Sequence, residues 1–203
     1  REGCGFYPGN SLITNWGITN ALFGISRIQF ESTNPFWCTE FTTMTAVPNS
    51  IRKSAYATLM YGNQMVCGWT WQSMNSGEEQ YLEGMLDWDG IPNRKYDEYK
   101  KIATEFKKIE KYFPYKLQAE VGLAFSFPGQ IASAYFPERH DEQLQACFDL
   151  FYHRNMDTRV IEISKSALNY KLLFIPGIAV MDETTANKIR EFVRNGGAVV
   201  MTS

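Results

Sequence analysis

The chain has 203 residues, enough for one large domain or two small ones. Hydrophobic residues make up 44% and charged residues 21%, an ordinary globular balance, and the formal net charge of -2 provides no basic field to attract nucleic acid. No apolar run reaches the roughly 18 residues of a membrane-spanning helix, which leaves no membrane reading.

In chain order, residues 11–30 (SLITNWGITNALFGISRIQF) read mostly as helix. NPFWCTEF (34–41) is a short buried strand bounded by Pro35. SIRKSAYATLMYG (50–62) carries Ile51, Ala55, Leu59 and Met60 at helical spacing and stops at Gly62. QMVCGWTWQ (64–72) is the next buried strand. The stretch from Ser73 to Asn93 has no periodicity and is long for a connection, and long loops in compact domains are often functional. DEYKKIATEFKKIEKYF (97–113) is an amphipathic helix with Tyr99, Ile102, Ala103, Phe106, Ile109 and Phe113 on one face.

Pro114 ends that helix and the character changes. EVGLAFSF (120–127), TRVIEI (158–163), YKLLFIPG (170–177) and AVVMTS (198–203) read as strands. They alternate with helices at 141–155 and 182–197, the latter with Asp182 as N-cap and Gly196 past its end. Such alternation predicts parallel sheets. The domains are accordingly 1–116 and 117–203. Two strand-helix units in the first domain leave open sheet edges, and the simplest explanation is the last quarter of a (β/α)8 barrel. Catalytic groups of that fold sit at the C-terminal ends of strands, where Glu40 and the Trp69–Gln72 segment lie.

A carboxylate at one strand end beside a tryptophan at the next suits glycoside hydrolysis. The oxocarbenium-like transition state needs a nearby anion, and the sugar's apolar face needs an aromatic platform. Thr39, Thr42 and Thr43 are placed to help keep Glu40 ionised. The competing reading makes Glu40 a surface acid that caps the following helix. Other chemistry has less support. The four cysteines, Cys4, Cys38, Cys67 and Cys147, form no CxxC pair. Cys38 and Cys67 read as buried thiols, which points to a reducing, cytoplasmic compartment; nothing else bears on location. Cys147 lies inside a predicted helix, not on the strand-to-helix turn of an amidotransferase nucleophile. His140 and His153 have no partner at a telling spacing and read as surface or satisfied side chains. Asp87 and Asp89 in LDWDG read as a turn more readily than as a metal loop.

The order of motifs resembles the glycoside hydrolase family 42 β-galactosidases over nearly the whole chain. GFYPGN resembles the end of barrel strand six, with Tyr7 as a sugar contact. PFWCTEF resembles strand seven with its nucleophile, here Glu40. VCGWTWQS resembles strand eight, with Trp71 the better match for the substrate-stacking residue and Trp69 its neighbour. In the loop that follows, Glu79 matches an acid that bonds sugar hydroxyls. YKLLFIPGIAVMDETTANKIREFVRNGGAVVMTS is similar to the closing unit of that family's trimerisation domain, a doubly wound, amidotransferase-like α/β fold.

The resemblance implies a retaining exo-β-glycosidase, foremost a β-galactosidase. It would act on a β-glycoside or oligosaccharide as a homotrimer, without cofactor or metal. Its acid/base Glu belongs at the end of barrel strand four, upstream of residue 1. The 203 residues are therefore expected to be part of a longer chain and inactive alone. Two departures bear on the sugar: Leu82 stands where the family has a His, and CTEFTTMT lacks the usual Gln-Pro after the nucleophile. The alternatives are a related β-mannosidase or β-glucosidase, and a non-catalytic scaffold or carbohydrate-binding protein that keeps the fold.

Overall fold

The computed structural model describes residues 2–6, 22–26, 36–42, 47–80, 82, 84–113, 118–135 and 139–202, with backbone alone for 2–6 and 42. The chain forms two compact units, one of Arg1–Ile25 and Ser32–Leu117, the other of Ser26–Glu31 and Gln118–Ser203. Among the described residues, no helix is long and apolar enough to cross a membrane. Of the helix expected at 11–30, only residues 22–26 are described, and they are helical.

In the first unit, β1 (Glu2–Phe6), β2 (Phe36–Thr42) and β3 (Asn63–Trp69) pair in parallel in that order. β1 ends within the GFYPGN stretch that the resemblance gives as a strand end; periodicity alone does not show it, because two glycines dilute the apolar signal of EGCGF. Helix α1 (Ser50–Met60) connects β2 to β3. It buries Ile51, Ala55 and Leu59 with Ser50, Ser54 and Thr58 between them, small residues that let a helix approach closely. Gly62, at φ +88, turns the chain into β3. Met60, expected on the buried face, is 51% exposed, because it lies one helical step round from Leu59.

Helix α2 (Arg94–Ile109) starts before its expected first residue, because Asn93 caps it. The Asn93 side-chain oxygen accepts from the amides of Lys95 at 2.8 Å and Tyr96 at 3.4 Å. Ile102 is buried as expected, whereas Ala103 is exposed. The two helices are tied by Glu105, whose Oε2 accepts from Arg52 Nε at 2.8 Å and Tyr56 Oη at 2.9 Å. The Arg52 guanidinium holds the Glu105 carboxyl below its usual range.

In the second unit, β4 (Val121–Phe125), β5 (Thr158–Glu162), β6 (Leu172–Ile175) and β7 (Ala198–Met201) form an all-parallel sheet in the order β5-β4-β6-β7. All five residues of β4 are buried, as a strand covered on both faces must be. Helix α5 (Glu183–Arg194) lays Ile189 and Phe192 on Ala124, Ile161, Leu173 and Ile175. Burial of each such side chain is worth about 1.5–3 kcal/mol. Helix α4 (His140–His153) takes the other face, where Phe151 meets Phe174 at 5.5 Å, a β6 residue of opposite parity to Leu173 and Ile175. Asp182 caps α5, accepting from the Thr185 amide at 2.8 Å. The short helix α3 (Phe127–Ala132) contains Pro-Gly, a dipeptide that reads as a turn in sequence, and Ser126 caps it through the Gly129 amide at 3.0 Å.

Asn63 joins three elements of the first unit. Its Oδ1 accepts from the Cys38 amide at 2.9 Å and the Met65 amide at 3.3 Å, and its Nδ2 donates to Thr58 Oγ1 at 3.2 Å. The side chain is 1% exposed. Replacing Asn63 by Ala removes the acceptor at the Cys38 N–H and is expected to lower stability by about 1–3 kcal/mol. Urea denaturation of the intact protein measures this, and an unchanged midpoint would show that the tie is dispensable.

Candidate active site

The pairing of β2 with its neighbours carries an irregularity that decides where Glu40 goes. Against β1, Cys4 pairs with Cys38 but Gly5 pairs with Glu40. Against β3, Cys38 pairs with Val66 and Phe41 with Gly68. Between Cys38 and Phe41, β2 therefore holds one residue more than either neighbour, which is a β-bulge. Upstream of it Phe36 and Cys38 are buried; downstream Phe41 is buried; Thr39 and Glu40 are both exposed. Without the extra residue, strict alternation would put position 40 on the same face as 36 and 38. The Cys38 thiol spans the bulge, donating to the Glu40 carbonyl at 3.6 Å. Phe41, fully buried, packs edge-on to Tyr99 of α2 at 6.4 Å and anchors the strand immediately after the carboxylate.

The helix-capping alternative for Glu40 does not match the geometry. The N-cap of α1 is Asn49, and the carboxylate at its amide is Glu98, at 2.9 Å.

β3 ends beside β2, with Trp69 opposite Thr42. The strands are parallel neighbours, so Glu40 and Trp69 occupy the same C-terminal edge. The peptide bond Trp69–Thr70 is cis. Trp71, expected inside the strand, lies just past its end, 57% exposed, with its ring edge-on to Tyr96 at 6.1 Å. Tyr7, Tyr81, Glu83 and Thr43 lie outside the described residues, as does the side chain of Thr42.

The segment from Ser73 to Asn93 is ordered chiefly by hydrogen bonds, with Ser73 and Leu86 buried. Its return arm runs along the β3 exit: Met85 N donates to Thr70 O and Leu86 N to Trp71 O, both at 2.8 Å, and Ser73 N donates to Leu86 O at 3.0 Å. Ser73 Oγ accepts from Gly84 N at 2.8 Å. A Cβ on Gly84 would lie 2.5 Å from the backbone of Gln72 and Ser73, so the close approach of the two arms requires glycine. Glu79, half-buried, sits on a turn closed by Leu82 N donating to its carbonyl at 3.0 Å, which puts positions 79 and 82 at the two ends of one turn. Asp87 and Asp89 build the turn before α2: Gly90 N donates to Asp87 O at 3.0 Å and Ile91 N to Asp89 Oδ1 at 2.9 Å, while buried Lys95 approaches Asp87 at 3.3 Å.

The remaining titratable candidates belong to the second unit and are structural. The His140 ring is fully buried, with Nε2 accepting from the Ser126 amide at 3.1 Å, Nδ1 donating to Pro176 O at 2.7 Å, and its face stacked on Phe125. His153 faces Asp149 one turn back at 3.4 Å. Cys147 is in the middle of α4, and burial pushes its thiol up, opposite to a nucleophile's need. In the first unit Cys67 is exposed, against expectation, while Cys38 is buried. Among the described residues, no cluster of three or more His, Cys, Asp or Glu side chains is arranged to hold a metal.

Two family models match. Residues 101–203 match the β-galactosidase trimerisation domain of glycoside hydrolase family 42, and residues 29–109 match that family's β-galactosidase domain. The chain belongs to the glycoside hydrolase family 42 β-galactosidases. Among curated relatives of this family, β-galactosidase BgaA of Clostridium cellulovorans is 24% identical over 164 residues, which are 78% of this chain and 25% of that protein. The chain spans about a quarter of the length of the curated family 42 relatives it matches. Among solved structures, the cold-adapted β-galactosidase of Rahnella sp. R3 superposes with a TM-score of 0.86 at 16% identity, over 98% of this chain and 32% of that one. The β-galactosidase of Marinomonas ef1 gives 0.83 at 16% identity, over 98% and 35%. At this identity the likeness is one of fold. The bulge in β2 and the bonding of the 73–93 segment were beyond sequence reasoning: a bulge shows only when both partner strands are in register. One trace existed in the two consecutive polar residues, Thr39 and Glu40, that break the alternation.

Proposed function

We propose that this chain is part of a retaining exo-β-glycosidase, foremost a β-galactosidase, with Glu40 as its nucleophile. The observation that carries the reading is the bulge that turns Glu40 out at the C-terminal end of β2, next to Trp69 at the end of β3. Both lie within the segment matching the family's β-galactosidase domain. In this reading the first unit is the closing part of a (β/α)8 barrel, and the second is a doubly wound, amidotransferase-like trimerisation domain.

The chemistry follows from the geometry of a retaining site. A Glu40 carboxylate oxygen bonds the anomeric carbon as the glycosidic C–O bond breaks, and a second carboxyl about 5–5.5 Å away protonates the leaving oxygen. That second group, now a carboxylate, takes a proton from water. The water oxygen bonds the anomeric carbon and releases Glu40 with the original anomeric configuration. Trp71 and Trp69 supply the apolar platform, and Tyr7 and Glu79 bind hydroxyls. In the intact protein, Glu40→Gln is expected to abolish turnover of an aryl β-galactoside without loss of folding. Glu40→Gly should regain turnover with added azide, giving the α-glycosyl azide, because the anion attacks from the vacated face. Full activity of the Gln variant would exclude Glu40.

Assembly is part of the same proposal: the trimerisation-domain match supports a homotrimer. Light scattering of the intact protein should return three times the chain mass, and a monomer would count against it.

Sugar preference turns on Leu82. It shares a turn with Glu79, at the position where the resemblance has a histidine. Leucine offers a hydroxyl no partner, which costs about 1–3 kcal/mol, roughly tenfold to a hundredfold in discrimination. A panel of p-nitrophenyl β-galactoside, β-glucoside, β-mannoside, β-fucoside and α-arabinoside, compared by kcat/KM, reads the consequence. Leu82→His is expected to raise the preference for galactoside. A galactoside preference above about a hundredfold that Leu82→His leaves unchanged would show that position 82 does not face the sugar.

A further inference from the structure

Trp88 lies in the turn before α2, and its bonding is unusual. The residue is 55% exposed, so its ring is not a core element. Its indole N–H, however, points at two backbone carbonyls at once: Met74 O at 3.0 Å and Gln80 O at 3.1 Å. Those two carbonyls flank one loop, residues 74–80. None of residues 74–80 is buried. The loop has no side chain in a core to hold it, so its placement rests on backbone hydrogen bonds, and the indole gathers both of its ends.

The other side of this latch is firmly mounted. Trp88 O accepts from Gln72 Nε2 at 3.2 Å, just beyond the end of β3. The turn it belongs to is closed by Gly90 N donating to Asp87 O and fixed to α2 by the Asp87–Lys95 pair. Two residues back, Leu86 is 7% exposed and bonded to Trp71. A rigid base thus extends one N–H donor to the two ends of a loop none of whose residues is buried. Glu79 is the neighbour of the acceptor Gln80.

We propose that Trp88 is a positioning residue: its indole N–H latches the 74–80 loop and thereby sets where Glu79 stands relative to the sugar. This rests on the active-site reading above, in which Glu79 binds hydroxyls. Trp88 touches no substrate in this scheme and acts through Glu79. Phenylalanine at 88 keeps a ring in place and removes the donor, so it isolates the latch from packing.

The test uses the intact protein in two arms. In the first, amide hydrogen exchange is followed at Gln80 and Leu82, whose N–H groups close the turns within and after the loop. Trp88→Phe is expected to accelerate both by about tenfold or more, while exchange in β3 stays as it was. In the second, kcat/KM for p-nitrophenyl β-galactoside is measured in a cycle of Trp88→Phe and Glu79→Gln. Trp88→Phe alone should lose about ten- to a hundredfold, as expected for misplacing a binding group by an ångström or so. In the Glu79→Gln background the same change should cost less than about twofold, because the residue through which it acts is already removed. Unchanged exchange overturns the latch. Faster exchange with additive kinetic losses overturns the link to Glu79. If the parent protein turns over no β-glycoside, the active-site reading and the positioning role fall together, and the exchange arm still decides whether the latch exists.

Discussion

The single extra residue in β2 is the constraint from which the rest of the first unit follows. β2 is the middle strand, paired on both sides, so its register cannot slip without breaking two ladders. Its apolar side chains must face the core before and after the bulge, and Phe36, Cys38 and Phe41 do so. A phase change is the one way to satisfy both stretches, and it leaves Thr39 and Glu40 on the outside together. A bulge in a central strand costs ladder bonds. Part of that cost is offset locally, by the Asn63 side chain at the Cys38 amide and by the Cys38 thiol at the Glu40 carbonyl. The carboxylate is thus presented by backbone geometry that buried groups enforce.

The edge beside Glu40 is built on a different plan. β3 hands over to a segment whose order comes from a second arm laid back along its exit, zipped by backbone bonds and closed at Gly84. Such a segment is held against the strand end by Leu86 and Ser73, which are buried, while Trp71 and Trp88 stay at the surface. Trp69, Trp71 and Glu79 are therefore displayed by a scaffold whose own stability does not require burying them. Glu40 and Trp69 thus stand on strands, whereas Trp71, Glu79 and Leu82 stand on a hydrogen-bonded loop, whose residues can change without loss of the strands beneath.

How much of this was legible in the sequence depends on whether the controlling interactions are local. The second unit was read almost element by element, because β4, β6 and β7 are continuous apolar runs, β5 carries Val160 and Ile161, and α5 announces itself by Asp182 and Gly196. The helix at Phe127–Ala132 escaped because Pro-Gly signals a turn unless one knows that Ser126 caps it. Met60 and Ala103 were assigned to buried faces on spacing alone, and a helix rotated by a single step overrules that. Cys67 was read as buried because its strand is apolar, but alternation in β3 places it outward. Glu40 was found through its position in a motif. The reason it is accessible, the bulge, depends on the register of two other strands, and its one local trace is the consecutive pair Thr39 and Glu40. The loop bonds of Trp88 join residues whose contact no periodicity encodes.

His140 has a consequence for what the second sheet can hold. The strand order β5-β4-β6-β7 reverses direction at β4, so the crevice beyond the ends of β4 and β6 is the switch point at which open parallel sheets receive ligands. The imidazole stands in that crevice, bridging the amide that follows β4 to the carbonyl that follows β6. A carbonyl accepts and an amide donates, so one uncharged tautomer satisfies both, and a proton added to the ring would set two N–H groups against each other. A visiting molecule would have to displace a ring stacked on Phe125 and leave two backbone groups without partners. The protein's own side chain thus occupies the place at which open parallel sheets receive ligands.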